Sequence, residues 1–225
     1  MKKRGSNTKN THTPRGALTR QRIIDAAVNL TYAKGVERTS LDDVLAAASV
    51  SKSQLYHYFI DKDALVREVI SAQTARILSA QGTVITQLDS MEGLRRWCDS
   101  ILALNRVVAN GGCPIGSLAS ELANKSEDAR SLLVASFSAW EDLLAEGFAK
   151  MQENGELGRS TVPKELAIRV LCAVQGCLIL SKTSRSERPL KLALEMVVDH
   201  VASHHRSSSG SSPAKVANSA KRRVR

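Results

Sequence analysis

Residues 38–69 read RTSLDDVLAAASVSKSQLYHYFIDKDALVREV, and two short helices separated by a tight turn can be traced through them. Thr39-Ser40 supplies a cap for a helix from Leu41 to Ala48, with Asp42 and Asp43 in the first turn, where the helix dipole favours negative charge. Ser49-Val50 makes a brief turn. Ser51 then opens a second short helix ending near Tyr58-Phe59, and Ser51 with Gln54 fits an S-x-x-Q capping box. Two short helices joined this way form a helix-turn-helix. Leu55 and Phe59 are expected to face inward. Asp61 then caps a long amphipathic helix from Lys62 to about residue 80, with Leu65, Val69, Ala72, Arg76 and Ile77 at helical spacing.

Upstream, a first helix is expected from Thr19, as N-cap, to Lys34. Ile23, Ile24, Ala27 and Leu30 form its apolar face, and Gly35 ends it through a left-handed cap. Downstream, helices are expected near residues 90–109, 116–125, 127–153, 163–183 and 188–205. Asn110-Gly111-Gly112-Cys113-Pro114 and Asn154-Gly155 mark breaks, and Pro163 suits a first helical turn. Leu171, Val174, Cys177 and Leu178 mark the inner face of the penultimate helix; Leu190, Leu194, Val197 and Val201 mark that of the last. The fold class is therefore all-α.

The organisation follows as a basic disordered arm over residues 1–15, a three-helix DNA-binding unit over 16–62, a helical body over 63–205 and a basic disordered tail over 206–225. The net charge of +10 is spread unevenly along these segments. Residues 1–60 carry 10 Lys/Arg against 4 Asp/Glu, residues 61–205 carry 16 against 18, and residues 206–225 carry 6 against none. Basic ends on a near-neutral body point to a polyanionic partner met by the ends. Lys2, Lys3, Arg4 and Arg15 can enter a minor groove or simply raise non-specific affinity. No stretch is expected to reach the roughly 18–20 apolar residues of a membrane span, and no secretory signal is evident.

The stretch 38–69, together with QRIIDAAVNLTYAKG at 21–35, resembles the TetR/AcrR (tetracycline-repressor-like) family. The T-S start, the S-V-S turn, the L-Y-H-Y-F helix and the D-K-D-A-L entry to the next helix all match, and the run GCPIGSLASEL at 112–122 occurs in some branches. Ser49 stands where the family often has Gly, and Thr31 where it usually has an aromatic residue.

The resemblance implies a sequence-specific repressor. Its DNA contacts would fall on Thr39, Ser40, Lys52, Ser53, Gln54, Tyr56, His57, Tyr58 and Lys62. Lys52 can reach guanine or phosphate, and Gln54 either closes its capping box or pairs with adenine. Thr39, Ser40, Tyr58 and Lys62 would hold phosphates and so set register. It also implies a homodimer through 163–183 and 188–205, a palindromic double-stranded operator, and a small-molecule effector between the long helices. Trp97, Asn105, Phe137, Trp140 and Gln175 are candidate liners, and the scarcity of charge in the apolar arcs suggests an apolar, aromatic or cationic ligand.

No cofactor or metal is expected, and no membrane partner. His12, His57, His200, His204 and His205 form no catalytic constellation with Cys113 or a Ser/Asp pair, so catalysis is not expected. His200 and His204 have a metal-compatible spacing, but a polar helix end explains it more simply. Cys98, Cys113, Cys172 and Cys177 read as reduced cytosolic thiols; Cys113, in its Gly-Gly-Cys-Pro turn, is the candidate redox sensor and the other three read as core residues. An architectural DNA-binding protein is the rival reading, and the capped recognition helix and neutral body weigh against it.

Overall fold

Helix α1, Pro14–Lys34, begins before Thr19 because a better start lies upstream. Thr13 Oγ1 accepts a hydrogen bond from the Gly16 N–H at 3.2 Å, and Pro14 occupies the first helical position, where its missing N–H costs nothing. The Thr19 hydroxyl donates back to the Arg15 carbonyl at 3.0 Å instead of capping. At the other end Gly35 has φ 86° and ψ 163°, an extended positive-φ conformation open in practice only to glycine, not the left-handed helical cap expected. Thr31, in the family's aromatic position, is buried with its hydroxyl donated to the Ala27 carbonyl at 2.8 Å.

The structure, a computed structural model, describes residues 13–107 and 111–205, so the arm up to residue 12, Asn110 in the expected break and the tail from residue 206 lie outside it. Among the described residues the remaining helices are α2 (Leu41–Ala48), α3 (Lys52–Tyr58), α4 (Lys62–Thr86), α5 (Met91–Val107), α6 (Pro114–Leu122), α7 (Glu127–Glu153), α8 (Pro163–Ser184) and α9 (Arg188–Ser203). α4 runs past its expected end and bends at Gly82 (φ 49°, ψ −134°). α6 starts two residues earlier than expected, because Pro114 takes the first position and Cys113 Sγ accepts from the Gly116 N–H at 3.4 Å.

Helices α1 to α3 pack around the start of α4 through Ile23, Ile24, Val44, Leu55, Phe59, Leu65 and Val69, all buried. In the body, α8 lies between α7 and α9, while α5 bridges α4 and α9 and α6 rests on α7 and α4. Gly147 lets α7 approach the α4–α5 connection, since a Cβ there would stand 2.6 Å from the Leu88 carbonyl oxygen.

Helix α8 corrects one expectation: an 18-residue window with mean hydropathy 1.5 is long and apolar enough, by composition, to cross a membrane. The cause is that α8 is apolar on two faces. Leu166, Val170, Leu171, Val174, Cys177 and Leu178 are buried, whereas Ile168, Ile179 and Leu180 are exposed. Cys172 is exposed as well and so is not the core residue expected; Cys98 and Cys177 are buried, with thiols pushed up to about 12 and about 11 by burial.

Ser49 ends α2 with φ 52° and ψ 51°. A side chain in this left-handed region costs on the order of 1 kcal/mol. Ser49→Gly should therefore raise the thermal midpoint by roughly 2–4 °C. An unchanged or lower midpoint in calorimetry contradicts strain at the turn.

Candidate nucleic-acid interface and effector cavity

The reading helix α3 is short, so it depends on its ends. Ser51 Oγ accepts from the Gln54 N–H at 3.2 Å while Gln54 Oε1 accepts from the Ser51 N–H at 2.8 Å, closing the expected capping box. A cap of this kind contributes about 1 kcal/mol. Leu55 and Phe59 anchor the inner side, 0% and 2% exposed. Arg20 of α1 sits 5.5 Å from the Phe59 ring centroid, and Arg22 Nη2 donates to the Ser49 carbonyl at 3.2 Å, so α1 braces both ends of the turn–helix unit. Neither arginine stands out in the sequence, because the partners of both are set by the fold.

With Leu55 and Phe59 turned inward, Lys52, Ser53, Gln54, Tyr56 and His57 are exposed and Tyr58 is half-buried. The Lys52 ammonium lies 6.0 Å from the Tyr56 ring centroid, and the His57 and Tyr58 rings meet edge to face at 4.8 Å. Donors, acceptors and aromatic faces thus crowd one outward surface of a helix narrow enough for a major groove. Gln54 is the weaker base reader: its Oε1 is already engaged, and a bidentate pair with adenine would open the box.

The candidate phosphate contacts divide. Ser40 is exposed at the start of α2, in a second capping box with Asp43: Asp43 Oδ2 accepts from the Ser40 N–H at 2.9 Å. Lys34 and Ser40 together hold the Asp43 carboxyl well below the usual carboxylate range. This box is hidden in the sequence because Asp replaces the usual Glu or Gln. Thr39 is corrected: it is 3% exposed, and its hydroxyl donates to the Gly35 carbonyl at 2.7 Å, bracing the loop from within. Lys62 is half-buried and donates to the Val36 carbonyl at 2.8 Å, which leaves part of its donor capacity for a phosphate.

In the body, α4, α5, α7, α8 and the start of α6 line a mainly apolar cavity of about 230 Å³ that opens to the surface. Of the five expected liners, Asn105 and Trp140 reach it. Trp97 is instead wholly buried, donating through Nε1 to Gln81 Oε1 at 2.8 Å. Phe137 packs against the core without reaching the cavity, and Gln175 faces a separate opening beside Cys113 and Gly116. Gln73, Arg76, Gln81, Cys113 and Pro114 line the cavity without having been expected there. Among the described residues the lining has no Asp or Glu and includes Arg76, so a cationic ligand is disfavoured. Burial raises the Cys113 thiol above its ordinary range, opposing the thiolate that a peroxide sensor needs. His200 and His204 meet ring to ring at 5.0 Å.

The body around the cavity is tied to the reading head at three points. Arg76 of α4 pairs with Asp25 of α1. Glu121, near the end of α6, accepts from the Val36 N–H at 2.7 Å and lies over Gly35, where a Cβ would stand 3.0 Å from its oxygen. The Tyr32 hydroxyl of α1 reaches the Gly112 carbonyl at 3.5 Å.

Comparison with known proteins agrees with this geometry. Residues 23–69 match the family model described as bacterial regulatory proteins, tetR family, and residues 90–196 match the C-terminal domain of LmrA/YxaF-like transcriptional regulators. The chain is 30% identical to the HTH-type transcriptional repressor NemR of Escherichia coli K12, over 82% of this chain and 94% of that one. It is 26% identical to the HTH-type transcriptional repressor DhaR of Mycobacterium sp. strain GP1, over 80% and 90% respectively. A crystal structure of a regulatory protein TetR from Rhodobacter sphaeroides shares the fold with a TM-score of 0.73 at 23% identity, covering 81% of this chain and 98% of that one.

Tyr56 is 46% exposed, so its ring contributes little to the core. Tyr56→Ala should lower operator affinity about 10–100-fold, the worth of a good base contact, with the thermal midpoint unchanged. A parallel loss of stability in the melting curve would instead make Tyr56 a packing residue.

Proposed function

The chain belongs to the TetR family of helix-turn-helix transcriptional regulators, a family of DNA-binding proteins and not of enzymes, and from that premise we propose a homodimeric repressor released from a palindromic operator by a small-molecule effector. The observation that carries the reading is α3: a helix opened by a reciprocal capping box that buries Leu55 and presents Lys52, Ser53, Tyr56 and His57 together. Ser40, Tyr58 and Lys62 flank it as phosphate contacts. Gln54 and Thr39 hold the head in shape. The basic ends add affinity for DNA of any sequence, and the protein acts in the cytoplasm.

The dimer forms through α8 and α9. Ile168, Ile179 and Leu180 on α8 are 41–60% exposed, and Leu192 and Met196 on α9 are 53% and 54% exposed. These side chains, with Cys172 and Gly176 between them on α8, make an apolar stripe opposite the core-facing side of each helix. A stripe left open in one protomer is what a two-fold interface closes. Two reading heads then face major grooves about 34 Å, or a multiple, apart.

The effector occupies the cavity beside Trp140. A ligand there must favour the released state over the DNA-bound one, or it shifts nothing. The three ties to α1 and its following loop are the route by which a changed cavity resets the heads.

Selection of bound sequences from a random DNA pool tests the reading. The wild type should yield one palindrome. Ile179→Glu, which puts a charge on the stripe, should sediment as a folded monomer and lose that preference. Recovery of no common sequence by the wild type would favour an architectural protein.

A further inference from the structure

The proposed effector site says something about its ligand, and this inference rests on that assignment. Trp140 is 3% exposed, lines the cavity, and its Nε1–H has no hydrogen-bond partner among the described residues. A buried N–H left unpaired is costly, so the position calls for an acceptor atom. Arg76 lines the same cavity, and among the described residues no carboxylate does. The rest of the wall is mostly apolar, with Ile77, Ile101 and Leu104 among its members. About 230 Å³ has room for roughly seven waters, which suits a small molecule.

We propose that the cavity takes a small monocarboxylate with an apolar body, its carboxylate received by Trp140 Nε1–H and the Arg76 guanidinium, and that it signals by drawing Arg76 away from Asp25. Charge complementarity selects the anion: a carboxylate cannot enter an apolar space without a paired charge, and Arg76 is the cation the lining offers.

Regulation follows from what Arg76 holds now. Its Nη2 is paired with Asp25 Oδ1, and the same carboxylate oxygen accepts from Gln21 Nε2 at 2.9 Å. The pair joins α4, in the cavity wall, to α1, which braces α3 through Arg20 and Arg22. A ligand carboxylate and Asp25 compete for one guanidinium. Arg20–Glu68, a second pair between α1 and α4 at 2.6 Å, faces no ligand and persists, so release loosens the middle of α1 without freeing the helix. An exposed ion pair is worth little in water, which limits the coupling to about fivefold through this contact.

The test follows binding by tryptophan fluorescence, the chain having only Trp97 and Trp140. The probes are hexanoate and benzoate with their primary amides, and a selected operator is titrated alongside. The acids should bind the wild type at least tenfold more tightly than the amides, and Arg76→Gln should abolish that difference. Asp25→Asn, which leaves the cavity wall intact and frees Arg76, should tighten acid binding up to fivefold and weaken operator binding. Thermal melts confirm that each variant is folded.

Amides binding as well as acids, or acid affinity unchanged in Asp25→Asn, overturns the proposal. Operator release by the amides with no preference for the acids would leave the repressor reading standing without it. Acid binding with the Asp25→Asn gain, but no operator bound by the wild type, would uphold this site while removing the repressor.

Discussion

Helix α4 is shared between two cores, and the rest of the molecule depends on that sharing. Its first turns bury Leu65, Val66, Val69 and Ile70 in the core where α4 meets α1 and α7, and its later turns bring Gln73, Arg76, Ile77 and Gln81 to the cavity wall. Fully burying a Leu, Val or Ile side chain contributes roughly 1.5–3 kcal/mol. The four buried residues of α4 therefore bind the reading head to the body far more firmly than any exposed ion pair does. A rigid shared helix cannot move at one end without consequence at the other.

The polar ties around this helix have a different character. Arg76–Asp25, Glu121–Val36 and Tyr32–Gly112 each join the region of the cavity or α6 to α1 or the loop after it, and each is individually weak. Strong apolar packing keeps the head attached, while weak polar contacts set its angle. That division suits the proposed release, in which the heads change spacing without unfolding. Glu121 shows how tightly the loop is built, since its carboxylate fills the space that a side chain at position 35 would need.

The reading head was largely legible in the sequence because its signals are local. Ser51 with Gln54, Ser40 before Leu41, and the inward pair Leu55 and Phe59 lie within a few residues of their partners, so spacing alone identifies them. The start of α1 was less legible: Thr13-Pro14 and Thr19 are both plausible openings, and the apolar spacing begins only after the second. The inward turn of Thr39 and the bond from Lys62 to the loop were not legible, because their partners, the carbonyls of Gly35 and Val36, lie in a loop whose path no local pattern reveals. The cavity was least legible. Trp97 and Trp140 look alike in sequence, yet one is satisfied by Gln81 while the other lines the cavity with its Nε1–H unpaired among the described residues, a difference set by helices brought together from distant parts of the chain.

Hydrogen exchange in the native protein, followed against low concentrations of denaturant, tests the shared helix most directly. If α4 fuses the two cores, amides of Ile24 in α1, Leu55 in α3 and Val69 in α4 exchange through one cooperative opening with a common free energy and a common dependence on denaturant. Exchange of the α1 and α3 amides through a separate, lower-energy opening that leaves Val69 and Ile77 protected would contradict it, and would make the reading head an independent unit merely tethered to the body.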